Sequence, residues 1–230
     1  MKDFKLEIRN IKDDDKITYY ACLTYVGEDR EFINAIEQVK EETYFYENDD
    51  SPAYNPDDLC LFTIMLNVED RKIKGSYIIN NTNEEDWEEF DKIKYSMHSN
   101  CNLTSFYNNT IKYEVLKNFE QSKKLKGIGH MILCSILRHI VSTNILSADK
   151  FITLQASGEI PERGMLGLVN YYEFMGFRQV FPSLLDIGIE QTDVPMRARL
   201  SDIIEKCSSV EKSNEVKELE KIIRHTYFKL

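Results

Sequence analysis

The chain has 230 residues, 42% of them hydrophobic and 30% charged, with a formal net charge of −10. That is enough apolar material for one domain with a proper core, and too much for a disordered chain. The acidic balance argues against a nucleic-acid binder, which presents a basic surface to phosphates. It suits a cationic partner such as an amine, and it serves plain solubility equally well.

No apolar run reaches the length of a membrane span, and the opening Met1-Lys2-Asp3-Phe4-Lys5 does not read as a signal peptide. Cys22, Cys60, Cys101, Cys134 and Cys207 are scattered, with no Cys-x-x-Cys. The expectation is reduced thiols in a cytosol-like compartment. His98, His130, His139 and His225 show no metal spacing, so no metal is expected. The richness in Asn, Ile, Lys and Tyr is that of an AT-rich genome, viral or parasitic, and carries no functional information.

Residues 4–11 alternate Phe4, Leu6 and Ile8 with charged residues, the period of a strand with one buried face. Asp13-Asp14-Asp15 breaks it, and residues 17–26 are a second strand. A helix follows Gly27-Glu28-Asp29, with Phe32, Ile36, Val39 and Thr43 as its stripe. Residues 47–58 hold two prolines and five acids and read as a loop. Residues 59–68 and 72–80 read as a hairpin turning at Glu69-Asp70-Arg71. Residues 82–101 read as polar, with a short central helix presenting Trp87, Phe90 and Ile93. Residues 103–107 and 111–119 form a second hairpin across Asn108-Asn109.

The polar run Glu120-Gln121-Ser122 then leads to Lys123-Lys124-Leu125-Lys126-Gly127-Ile128-Gly129. A helix follows, with Ile132, Leu133, Ile136, Leu137, Ile140 and Val141 on one face. Strand, glycine-bearing loop and helix N-terminus together make an anion site. Glycines admit close approach, and first-turn N–H groups and the helix dipole favour negative charge. Residues 151–155 are the next strand, parallel to the first by the crossover rule. A helix over 165–175 stops at Gly176. Residues 178–181 and 196–200 are the last strands. Beyond Ser201 the pattern is helical, split near Ser208-Ser209 and Ser213-Asn214, and this tail either packs on the sheet or carries a homodimer contact.

Lys124-x-x-Gly127-x-Gly129, followed after one helix and one strand by Tyr172-x-x-x-Gly176-Phe177, resembles the GNAT superfamily of acyl-CoA-dependent N-acyltransferases over about residues 111–181. The family's loop begins with Arg or Gln, where this chain has Lys124. The resemblance implies a mixed α/β fold with splayed central parallel strands over residues 1–200, and a helical extension over 201–230. It implies acetyl-CoA as co-substrate, a small-molecule or peptide amine as acceptor, direct attack in a ternary complex, and neither nucleic acid nor membrane as partner. Backbone N–H groups of Leu125, Lys126, Gly127, Ile128, Gly129 and His130 would hold the pyrophosphate, with Lys123, Lys124 and Lys126 adding charge. The backbone at Lys117 and Phe119 would pair with the pantetheine arm. Tyr172 would be the general acid, and Glu114 the base for an amine of pKa ~10.4, with Glu120 and Glu173 as competitors. The family's cofactor-touching Asn maps near Met165, and Asn170 is its substitute. A catalytically inactive binding protein of the same fold is the alternative, and a plain α/β domain with coincidental motifs a third.

Overall fold

The computed structural model describes residues 2–43, 60–79, 91–108, 116, 118–157, 164–180 and 193–227. The acidic loop of residues 47–58, Trp87 and Phe90 lie outside them. One mixed sheet of seven strands runs in the order β1-β2-β3-β4-β5-β7-β6. The strands are β1 (Phe4–Asp13), β2 (Lys16–Tyr25), β3 (Cys60–Ile79), β4 (Asp91–Asn108), β5 (Phe151–Ser157), β6 (Arg178–Gln179) and β7 (Asp193–Arg199). The helices are α1 (Arg30–Thr43), α2 (Glu120–Lys124), α3 (Ile128–Ser142), α4 (Gly164–Phe174), α5 (Leu200–Lys206) and α6 (Asn214–Thr226).

β1 and β2, expected as two separate strands, form a hairpin in register from Phe4 opposite Tyr25 to Asp13 opposite Lys16. Tyr19, Ala21, Leu23 and Tyr25 fill one face of β2 because the pleat turns every second side chain inward. Asp29 caps α1, its carboxylate accepting the N–H groups of Glu31 and Phe32 at 3.0 and 3.1 Å. Phe32 and Ile36 are buried beneath it.

Three expectations fail in the middle of the sheet. Residues 60–79 are one strand, not a hairpin: Glu69 and Asp70 form a bulge where the register slips between Val68 opposite Cys101 and Arg71 opposite Ser99. Asn100 fills the gap, donating from Nδ2 to Asp70 at 2.7 Å and accepting the Phe151 N–H at 3.2 Å. Residues 91–101, expected to continue a polar segment with a short helix, are strand β4. That strand also absorbs residues 103–107, expected as half of a second hairpin. The other half, residues 111–119, is not a strand where it is described: Phe119 N–H closes a turn on the Leu116 carbonyl at 3.1 Å, and α2 follows. Residues 111–115 and Lys117 lie outside the described residues.

Among the described residues β4 and β5 are the one parallel pair, so the strand parallel to β5 is β4 and not the expected residues 111–119. Every other neighbouring pair is antiparallel. The parallel ladder runs from Cys101 opposite Ile152 to Leu103 opposite Leu154. Beyond it β4 continues against β3 as far as Asn108, and β5 continues against β7 as far as Ser157. The sheet therefore parts between β4 and β5 at their C-terminal ends.

α3 is buried nearly all round, from Ile128 to Ile140. The predicted face accounts for Ile132, Leu133, Ile136, Leu137 and Ile140. The burial of Met131, Cys134 and Ser135 reflects a second layer, because α5 and α6 pack on α3. Leu200, Ile203, Val216 and Ile223 join the same core as the sheet. Ser213 caps α6 by accepting the Val216 N–H at 3.1 Å, which explains the break expected there. Past α6, the Tyr227 hydroxyl donates to the Leu6 carbonyl at 2.9 Å. Cys134 and Cys207 form a disulfide with Cα atoms 6.0 Å apart, correcting the expectation of reduced thiols throughout. No helix of the described residues is long and apolar enough to cross a membrane.

Candidate functional site

The loop between α2 and α3 is a chain of tight turns. Leu125, Lys126 and Ile128 donate to the carbonyls three residues behind them, at 3.0, 3.3 and 3.0 Å. Gly127 then sits at φ 81°, a left-handed conformation glycine adopts at no steric cost, and no side chain caps α3. The N–H groups of Gly129 and His130 fall in the first turn, which by geometry leaves them without an intrahelical acceptor.

The expected open cradle is half filled by the protein itself. The chain between α5 and α6 passes over Gly127 so closely that a Cβ there would lie 2.6 Å from the Glu211 carbonyl oxygen. Ser213 N–H donates to the Lys126 carbonyl at 3.1 Å, and its hydroxyl donates to the Lys124 carbonyl. The lysines are paired too: Lys123 with Glu120, Lys126 with Glu211 at 2.7 Å, Lys124 with Asp3 at 4.0 Å. These pairs are solvent-exposed and individually weak, so an anion of higher charge competes for them on favourable terms. Ile128 is buried in the core, and Leu125 packs against it from the loop.

Of the proposed pantetheine edge, Lys117 lies outside the described residues, as does Glu114. Phe119 offers no strand edge. Its carbonyl accepts the N–H of Ser122 at 3.1 Å, and its ring tilts onto Phe32 with centroids 5.2 Å apart. Among the described residues, strand backbone without a ladder partner lies instead in the opening between β4 and β5. α3 must run back antiparallel to β4 for β5 to begin beside it, so Gly127 lies at the same end of the sheet as the opening. At the other end of α3, about 22 Å away at 1.5 Å per residue, a shallow groove is lined by Asp13, Asp14, Asp15, Glu69 and Asp70 with Lys12 and Lys16. Its acids are too far from the loop to serve an acceptor there.

Tyr172 stands where its motif predicts, in the last turn of α4. Gly176 at φ 104° ends the helix, with Phe177 N–H on the Tyr172 carbonyl and Gly176 N–H on the Glu173 carbonyl, both at 3.0 Å. This is a Schellman cap, and the Tyr172 and Phe177 rings make its usual apolar contact at 5.9 Å. The motif thus has a folding role whatever else it does. Burial, helped by the neighbouring Tyr171, holds the Tyr172 phenol above its ordinary range. Tyr171 itself is pushed up to about 12 by burial. Asn170 and Glu173 are exposed on α4, Glu173 accepting from Gln179 at 3.1 Å. Glu120 is exposed and tied to Lys123.

The sequence reading missed what lies behind the loop. His130 is 4% exposed, and its Nε2 has no hydrogen-bond partner among the described residues. It faces the Cys134–Cys207 bond, and the His nitrogen and both sulfurs lie within 4.8 Å of one another. Beside it Glu220 bridges Lys212 at 2.7 Å and Arg138 at 3.1 Å. No spacing rule reveals this group, because Cys207 stands 73 residues from Cys134.

Burial first, then Lys212 and Arg138, depress the His130 pKa to about 4. Unfolded, the imidazole takes a proton near pH 6.5; folded, it stays neutral until about 4. Its contribution to stability is therefore complete above pH 6.5 and is lost as pH falls from there to 4. Urea titrations over that window should show a loss of roughly 2–3 kcal/mol that His130→Gln removes. A variant as acid-sensitive as the parent would show that another group governs the transition.

Comparison with family models, with curated proteins and with solved structures finds no match for this chain.

Proposed function

We propose that this chain is an N-acyltransferase of the GNAT type, moving an acyl group, acetyl in the simplest case, from acyl-CoA to a primary amine. The observation that carries the reading is the parting of β4 from β5 at the end of the sheet where α3 begins. Strand backbone left unpaired there suits the amide-rich pantetheine arm, which would add to it as a short strand does. The N–H groups of Gly129 and His130 would meet the diphosphate, with Lys126 exchanging Glu211 for it. The neutral amine attacks the thioester carbonyl, the departing thiolate takes its proton from Tyr172, and the proton shed by the new amide nitrogen returns to the phenolate. Burial keeps that phenol protonated at neutral pH, as an acid must be. Holding amine and thioester together supplies much of the rate on its own.

A second reading is a binding protein of the same fold without the chemistry. The segment Glu211–Ser213 over Gly127 favours it, since that segment takes up part of the anion site.

Thermal unfolding with acetyl-CoA tests both. A melting temperature that rises with ligand supports either reading, and one that stays flat at millimolar ligand sinks both. Thiol release with polyamines, lysine peptides and aminoglycosides then separates them. On the first reading Tyr172→Phe slows release far more than it weakens acetyl-CoA binding. Binding with no release for any amine favours the second.

A further inference from the structure

His130 and Cys134 stand one turn apart on α3, so their side chains share a stripe of the helix. Cys207 comes to the same stripe from the end of α5, and all three are buried. We propose that, when the Cys134–Cys207 bond is open, His130 Nε2 and the two sulfurs form a site for one thiophilic d10 cation, zinc(II) or copper(I). The inference is independent of acyl transfer.

Three observations carry it. The donor atoms already lie within 4.8 Å of one another, and a tetrahedral zinc site with these ligands needs separations of about 3.6–3.8 Å. His130 Nε2 is buried without a hydrogen-bond partner among the described residues, and a metal bound there would supply one. The charges also balance. Two thiolates cancel the charge of zinc, with a water in the fourth position, and the surplus negative charge of a three-coordinate copper(I) site would be met by Lys212 and Arg138 around Glu220.

Opening the bond takes two electrons and two protons. A cellular dithiol provides both and is itself oxidised to a disulfide. In vitro a phosphine attacks one sulfur and expels the other as thiolate; water then releases the second thiol and leaves the phosphine oxide. Metal binding returns the two thiol protons to solvent. Disulfide and metal are thus alternative closures of one site, each pinning α5 to α3. Both sulfurs are fully buried, so reduction requires α5 to lift from α3.

The test reduces the full chain with a phosphine in urea and dilutes it anaerobically into zinc(II), copper(I) or no metal. The expected result is one tightly held metal per reduced chain, recovery of the folded far-UV spectrum, and none retained by the oxidised chain. Cobalt(II) in place of zinc should show thiolate charge-transfer absorption. His130→Gln should weaken affinity about tenfold or more, and Cys207→Ser should remove the absorption. Zinc uptake without copper selects the four-coordinate form of the site, and copper uptake alone the three-coordinate form. Equal metal on oxidised and reduced chains, uptake indifferent to His130→Gln, or a reduced chain that neither metal refolds would each overturn the proposal. Should Cys207→Ser fail to fold, His130→Gln still decides, because it keeps the disulfide while it is purified.

Discussion

Replacing Cys207 by serine lowers the unfolding free energy by about 4 kcal/mol in metal-free buffer, because the disulfide closes a loop of 73 residues. Most of that effect is exerted on the unfolded chain, whose freedom the cross-link restricts. The folded state adds to it. α5 is only seven residues long, and a helix of that length has little stability of its own. It holds its place through Leu200, Ile203 and the link from Cys207 to α3. The expected measurement is a lower urea midpoint for the variant, with the parent falling to match it once reduced. Hydrogen exchange should quicken first in α5 and α6, ahead of the sheet. A midpoint indifferent to reductant would show that the helices dock without the covalent tie.

Gly127→Ala is expected to cost about 3–4 kcal/mol. Two effects combine. A residue with a Cβ at φ 81° carries left-handed strain, and the new Cβ would press to 2.6 Å against the Glu211 carbonyl, a backbone atom that cannot rotate away. Relief requires the Glu211–Ser213 segment to lift, which breaks the Ser213 bonds to the Lys126 and Lys124 carbonyls. In a protein of this size the melting temperature should fall by roughly 10 °C. Gly127→Asn separates the causes, since asparagine tolerates the left-handed region yet still carries a Cβ. It should lose nearly as much as alanine. If asparagine restored the parent midpoint, the close approach of Glu211 would not be what demands glycine. Gly176→Ala is the milder comparison, its nearest neighbour being the Asp202 carbonyl at 3.3 Å.

What sequence could disclose follows from how local each cause is. β1, β2, α3, β5 and the stop at Gly176 were legible because alternation, helical spacing and a capping glycine act within a few residues. β3 was misread because a polar Glu69-Asp70-Arg71 looks the same in a turn and in a bulge. Asn100, which decides between them, is supplied by another strand. β4 was misread because its inward row includes Ser99, whose hydroxyl is satisfied by Thr153 at 2.7 Å, a partner 54 residues on. The same limit applies at the site. The lysines and glycines announced a loop before a helix, but not that Glu211 and Ser213 would lie across it. Tyr172 was placed in register, but its cap bonds explain the surrounding residues without reference to chemistry. The tie from Cys134 to Cys207 left no local trace.

The hydrogen bond from Tyr227 to Leu6 spans 221 positions. A ribosome delivers the first of these residues long before the last. Until the stretch beyond Lys206 clears the exit tunnel, β1 goes without its Tyr227 bond and Gly127 without its cover. Packing at both places therefore waits on residues made much later than the strands they touch, and the interval between is when a chaperone has most to shield.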